Sequence, residues 1–196
     1  MISFAIFLGS IVLVTATTGQ TGDPDAYAEN STYFDKQRLS AMTNLTERIY
    51  VLKRDYNTST PFDCLSAMKQ NDYGNNTYEY ELKARINGSF IAYNVTMIAN
   101  TTGNHTEPNN AYYEENKGQG PIDHKLMTTD GSSCFLFAVA FESGKYGCLL
   151  AVTENATQST PQECESVYSQ QCGNESVTLY KSNCTTTDDG TTGYSA

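Results

Sequence analysis

The sequence contains no tryptophan and only two histidines, His105 and His124. Metal sites need His, Cys or carboxylate ligands clustered at short spacing, and two isolated histidines do not supply them. They also provide no positioned base for Ser–His–Asp or Cys–His chemistry. The chain is therefore read as a non-enzyme with no metal and no cofactor. Basic residues are scarce as well: 12 Lys and Arg stand against 22 Asp and Glu, a net charge of −10. That balance argues against nucleic acid and anionic membranes as partners. No two cysteines form a C-x-x-C pair, and no repeat or proline-rich linker divides the chain. The adjacent acids Glu114–Glu115 and Asp188–Asp189 are read as solvated charge, since neighbours on a strand face opposite ways.

One long apolar run is present, over residues 2–14, followed by small residues. It is too short to span a bilayer and reads as a secretory signal peptide over residues 1–16. A single domain over 17–184 follows, then a Thr/Gly/Asp-rich tail over 185–196 that is expected to be disordered. Six cysteines in a secreted chain imply three disulfides, with fifteen pairings open. Glycosylation sequons start at Asn30, Asn44, Asn57, Asn75, Asn87, Asn94, Asn100, Asn104, Asn155 and Asn174, and again at Asn183, where a cysteine fills the middle position. That density predicts an extracellular glycoprotein.

The remainder alternates as antiparallel strands. Residues 48–56 and 62–69 are rich in strand formers. Tyr78, Tyr80, Leu82, Ala84 and Ile86 alternate with Glu79, Glu81, Lys83 and Arg85, which predicts one buried and one solvated face. Asn87–Gly88 signals a tight hairpin, and the returning strand runs over 89–98. If Asn94 carries sugar it faces outward, so Tyr93 and Val95 face inward. Short strands over 112–115 and 122–128 lead to residues 134–153, where both faces of a strand pair are apolar, as in a doubly covered sheet. Helices are expected over 23–42 and 161–171, and an extended segment over 175–181. Eight strands at hairpin spacing make an up-and-down barrel the simplest architecture. Inward tyrosines carry hydroxyls that a solid core satisfies poorly, so the barrel is expected to hold a cavity rather than pack as a sandwich.

The runs IYVLKRDY, PFDC, SSCFLFAV, YGCLLAVT, PQEC, QQC and SNC, in this order, resemble the tick salivary lipocalins of the histamine-binding family, from about residue 25 to Cys184. The resemblance implies an all-β fold with flanking helices: an eight-stranded antiparallel lipocalin barrel with an N-terminal and a C-terminal helix. It implies disulfides Cys64–Cys184, Cys134–Cys164 and Cys148–Cys172. It also implies a secreted, monomeric scavenger of small host mediators that perturbs host defence.

The family's amine binders carry an acid after the cysteine of one strand and a Glu-Leu-Trp-like run in the next. Here Phe135, Leu149 and Ala151 stand at those positions, and Tyr93 replaces an inward acid. An ammonium buried without a carboxylate costs several kcal/mol. The expected ligand is instead an apolar molecule with a polar end: a leukotriene, fatty acid or sterol. Leu82, Ile91, Val95, Phe135, Phe137, Leu149 and Ala151 would form the wall, and Tyr56, Tyr78, Tyr80 and Tyr93 would bond the polar end. Arg54 and Lys53, near a strand end, could pair with a ligand carboxylate, but a solvated surface role is preferred for each. The alternatives are a biogenic amine (histamine or serotonin) held by Glu142 or Asp123, or an outer surface that binds a host protein.

Overall fold

The structure, a computed structural model, describes residues 22–185 apart from Thr60 and Glu142, together with the backbone of residues 192–193. The expected signal peptide and Glu142 lie outside the described residues. Two short helices, α1 (Pro24–Ala28) and α2 (Ser40–Thr43), flank a 3-10 turn over Ser31–Lys36. Asp23 caps α1, its Oδ1 accepting from the Asp25 and Ala26 amides at 3.1 Å, with proline at the first helical position. Asn30 caps the 3-10 turn in the same way.

Eight strands follow: β1 (Ile49–Arg54), β2 (Asp63–Gly74), β3 (Thr77–Ile86), β4 (Ser89–Asn100), β5 (Asn110–Tyr113), β6 (Ile122–Thr129), β7 (Cys134–Ala140) and β8 (Tyr146–Thr153). Each pairs antiparallel with the next, β1 pairs with β8, and pairing of β4 with β5 closes the barrel. This is the expected lipocalin barrel. Helix α3 (Gln162–Gln171) and strand β9 (Val177–Thr178), beside β1, complete the domain. Within the expected tail, β10 (Thr192–Gly193) runs parallel to Ile91–Ala92 of β4.

Turn chemistry fixes the hairpins. Asn87 and Gly88 have φ of 50° and 82°, the positive pair that a two-residue turn requires. Asn75 and Asn76 do the same at 49° and 58°, so β2 and β3 run further than a polar turn over 71–76 would allow.

The doubly apolar β7–β8 pair is covered on both sides. Its inner face (Phe135, Phe137, Val139, Leu149, Ala151) joins the barrel core with Leu39 and Met42. Its outer face (Cys134, Leu136, Ala138, Cys148, Leu150, Val152) packs under α1 and α3 with Ala28 and Tyr168. Disulfides Cys134–Cys164 and Cys148–Cys172 tie α3 to that face, and Cys64–Cys184 ties the C-terminal segment to β2. These are the pairings that the resemblance implies.

α1 is held on β6 by Lys125, whose Nζ lies 2.8 Å from Asp25 Oδ1 and 2.7 Å from Glu29 Oε1. Leu39 and Met42 pack into the barrel core and close one end, with the mouth at the opposite strand ends.

Candidate functional site

A cavity of about 150 Å³ lies inside the barrel. Of the residues expected to form it, Tyr80, Leu82, Ile91, Tyr93, Val95, Phe137, Leu149 and Ala151 line it. Asn94 is exposed, on the opposite face of β4 from Tyr93 and Val95. All ten asparagines of the undisturbed sequons are exposed.

Three expected residues sit elsewhere. Phe135 opens β7 at the closed end, where it is 0% exposed and belongs to the packed core rather than the cavity wall. Tyr78 lies near the start of β3, also toward the closed end, and packs against that core. Tyr56 follows β1 at the mouth, its ring 4.9 Å from that of Phe141. The cavity reaches from Met42 to Arg54 and Glu115, and Phe135, Tyr78 and Tyr56 pack beside it instead of lining it.

The sequence reading missed a charged group in the wall: Arg54, Glu115 and His124. In strict alternation Arg54 shares the outward face of Tyr50 and Leu52. The β1–β8 register shifts between Val51 and Lys53, so Val51 opposes Ala151, Lys53 opposes Leu150 and Arg54 opposes Leu149. This bulge places Leu52 and Lys53 outside in succession and turns Arg54 inward. Lys53 then meets Glu165 of α3 at 2.8 Å. Arg54 is 7% exposed. Its Nη2 donates to Thr58 Oγ1 at 2.8 Å, its guanidinium lies 5.2 Å from the Tyr56 ring centroid, and its Nε is buried without a partner among the described residues.

Glu115 enters through the loop after β5. Glu114 points outward and gathers the loop, its Oε1 accepting from the Gly118 and Gly120 amides at 2.7 and 2.9 Å. Both glycines have positive φ, which lets the loop wrap around that carboxylate. The next residue, Glu115, consequently faces the cavity, where its Oε1 lies 2.8 Å from His124 Nε2. Burial pushes the Glu115 carboxyl up, but the hydrogen bond from His124 and the charges of His124 and Arg54 outweigh it and hold the pKa below its ordinary value. His124 Nδ1 is 3.2 Å from the Ala111 carbonyl, and the ring stacks on Tyr113 at 4.2 Å.

The hydroxyl of Tyr80 is likewise buried without a partner, and desolvation pushes its pKa well up, so it stays a neutral donor. The cavity thus offers two unsatisfied donors, Arg54 Nε–H and Tyr80 O–H, between apolar walls. Asp123, a candidate amine partner from sequence, is not in the lining and accepts from Asn110 Nδ2 at 2.6 Å.

Among the described residues, the one grouping at metal-ligand distance is Asp55 with Cys148 and Cys172. Its cysteines are bonded to each other, and Asp55 accepts from the Cys148 and Gly173 amides at 2.6 and 2.7 Å. It is a structural clamp.

Similar folds occur in three solved structures. AM182 in complex with serotonin matches at 15% identity and TM-score 0.55, covering 84% of this chain and 95% of that one. Japanin from Rhipicephalus appendiculatus, bound to cholesterol, matches at 13% identity and TM-score 0.50, covering 70% and 95%. The allergen Per a 4 from cockroaches matches at 16% identity and TM-score 0.50, covering 73% and 89%. None of the curated proteins matches the chain in sequence. The sequence profile described as tick histamine binding protein matches residues 27–186. The barrel, its three disulfides and this match together establish that the chain belongs to the tick histamine-binding protein family.

Proposed function

We propose that this protein is a secreted, non-enzymatic scavenger that holds a flexible, acid-terminated apolar ligand of the fatty-acid or leukotriene kind. The observation that carries this reading is Arg54, a guanidinium buried in an apolar-walled cavity with its Nε unpaired. A buried donor without an acceptor costs about 1–3 kcal/mol, more when charged. A ligand carboxylate removes that cost and forms a charge-assisted bond.

Cavity size separates the apolar candidates. About 150 Å³ is below the roughly 300–1,000 Å³ of pockets that bury drug-sized ligands. A flexible chain can leave part of its length outside such a space, which favours it over a rigid sterol body. The perturbation of host defence follows from the family and remains part of the proposal, as do glycosylation and export.

A second reading rests on Glu115, an ionised carboxylate in the cavity that could take an ammonium, as a serotonin-like amine would require. It ranks lower because His124 and Arg54 already compensate that charge.

Organic extraction of the purified protein followed by mass spectrometry tests the proposal. Copurifying carboxylic lipids support it. A retained amine, or sterol without acid, contradicts it.

A further inference from the structure

The barrel closes unevenly. β3 and β4 share ten residue pairs, Thr77 to Ile86 against Ile98 to Ser89. On its other side β4 pairs with β5 only at Ile98, Ala99 and Asn100. Nearer the mouth, the described pairing on that edge is with Thr192–Gly193, at Ile91 and Ala92. Among the described residues, 93–97 of β4 have no ladder partner on this side and face the 114–121 loop across a gap.

Two hollows meet at this gap. One is the inner cavity. The other is an outer hollow of about 410 Å³, lined by Val95, Thr96, Ile98, Tyr112, Lys117 and Pro121 among others. Tyr93 and Val95 line both. Ile98, at the outer hollow, is 44% exposed, one of two large apolar residues so exposed among the described residues. The Tyr93 hydroxyl spans the gap and donates to the backbone carbonyl of Glu115.

By contrast, the Tyr56 side of the mouth is closely packed around Gly147. A Cβ on Gly147 would stand 2.6 Å from Tyr56 Cδ1 and 2.8 Å from Phe141 Cζ, so not even a methyl group fits there.

We propose that the gap between β4 and the 114–121 loop is a lateral portal for the ligand, and that the Tyr93–Glu115 hydrogen bond is its bolt. The inference rests on the reading that the inner cavity takes an acid-terminated apolar ligand. The outer hollow suits the arrival of the apolar chain, which Ile98, Tyr112 and Val95 receive, while Lys117 and Glu114 stand at its rim with opposite charges. Breaking one side-chain hydrogen bond opens the gap without disturbing a ladder.

The test is stopped-flow binding of cis-parinaric acid to the folded, delipidated protein. Thr96→Trp places a ring in the outer hollow, on the exposed face of β4, and because it also ends the Asn94 sequon it is compared with Asn94→Gln as well as with wild type. A portal predicts that association and dissociation both slow, by about ten-fold, with the dissociation constant unchanged. Tyr93→Phe removes the bolt and keeps the ring, and both rate constants should rise several-fold together. Wild-type rates in Thr96→Trp, or a rise confined to dissociation in Tyr93→Phe, overturn the portal and mark Tyr93 as a wall contact only. Failure of the wild-type protein to bind the probe at all overturns the ligand reading and the portal with it.

Discussion

Arg54 of β1 stands opposite Leu149 of β8, one residue past the bulge that places Leu52 and Lys53 on the same outer face. This relationship sets the chemistry of the cavity. Leu149 contributes a greasy wall where the family's amine binders carry an acid, and Arg54 contributes a cation facing that wall. An acid on β8 beside a buried guanidinium would be spent on it. An apolar residue there leaves the guanidinium Nε available.

Arg54→Met therefore weakens binding of cis-parinaric acid by at least ten-fold, while binding of the corresponding alcohol changes less than three-fold. Fluorescence titration of both ligands against both proteins reads this. Because Arg54 also compensates Glu115 and donates to Thr58, the melting temperature should fall, as it does when one member of a buried charge group is removed.

Much of this architecture is legible in the sequence. Strict alternation locates β3 and β4, and the Asn94 sequon orients β4 correctly with respect to Tyr93 and Val95. The apolar character of both faces of β7 and β8 anticipates the cover of α1 and α3. The charged group of the cavity is not legible, for two physical reasons. Alternation is a period-two rule, and the single extra residue in β1 reverses the sense of everything after it. Glu115 lies beyond the last residue of β5, and its direction is set by Glu114 folding a glycine loop around itself. The residue pattern did hold one signal: the two acids face opposite ways, as neighbours in an extended chain do, so one of them had to face inward.

Acid stability should carry the mark of Asp63. Its hydrogen bonds from Arg85, opposed by burial and aided by Lys181, hold the carboxyl at about 2 against an ordinary 3.8. A depressed pKa adds stability that is fully present above the unfolded value and is lost as pH falls through the folded one. Asp63→Asn should therefore melt lower than wild type at pH 7. The difference should shrink between about pH 4 and pH 2 and vanish below it, as followed by circular dichroism melts across that range.

The three disulfides should contribute unequally. Cys64–Cys184 closes a loop with a sequence separation of 120, against 30 for Cys134–Cys164 and 24 for Cys148–Cys172. Loop-closure entropy assigns about 5 kcal/mol to a loop of the first size and about 3.5 to the others. Paired Cys→Ala variants examined by urea unfolding should rank in that order.

Gly147→Ala should cost about 1–3 kcal/mol, the usual penalty for overpacking. Its new methyl meets the Tyr56 and Phe141 rings at under 3 Å and Asp55 Oδ1 at 3.0 Å. Asp55 also clamps the Cys148 and Gly173 amides, so the strain reaches the seat of α3. A denaturation midpoint lowered without change in slope checks this.

The choice of ligand turns on the sign of charge that the cavity accepts, and calorimetry of the delipidated protein at pH 7 reads it directly. Titrations with a long-chain fatty acid, its methyl ester and serotonin should give saturable heat with the acid, binding at least ten-fold weaker with the ester, and none with serotonin. Saturable heat with serotonin and none with the acid would contradict the assignment of Arg54 as the ligand's partner and transfer that role to Glu115.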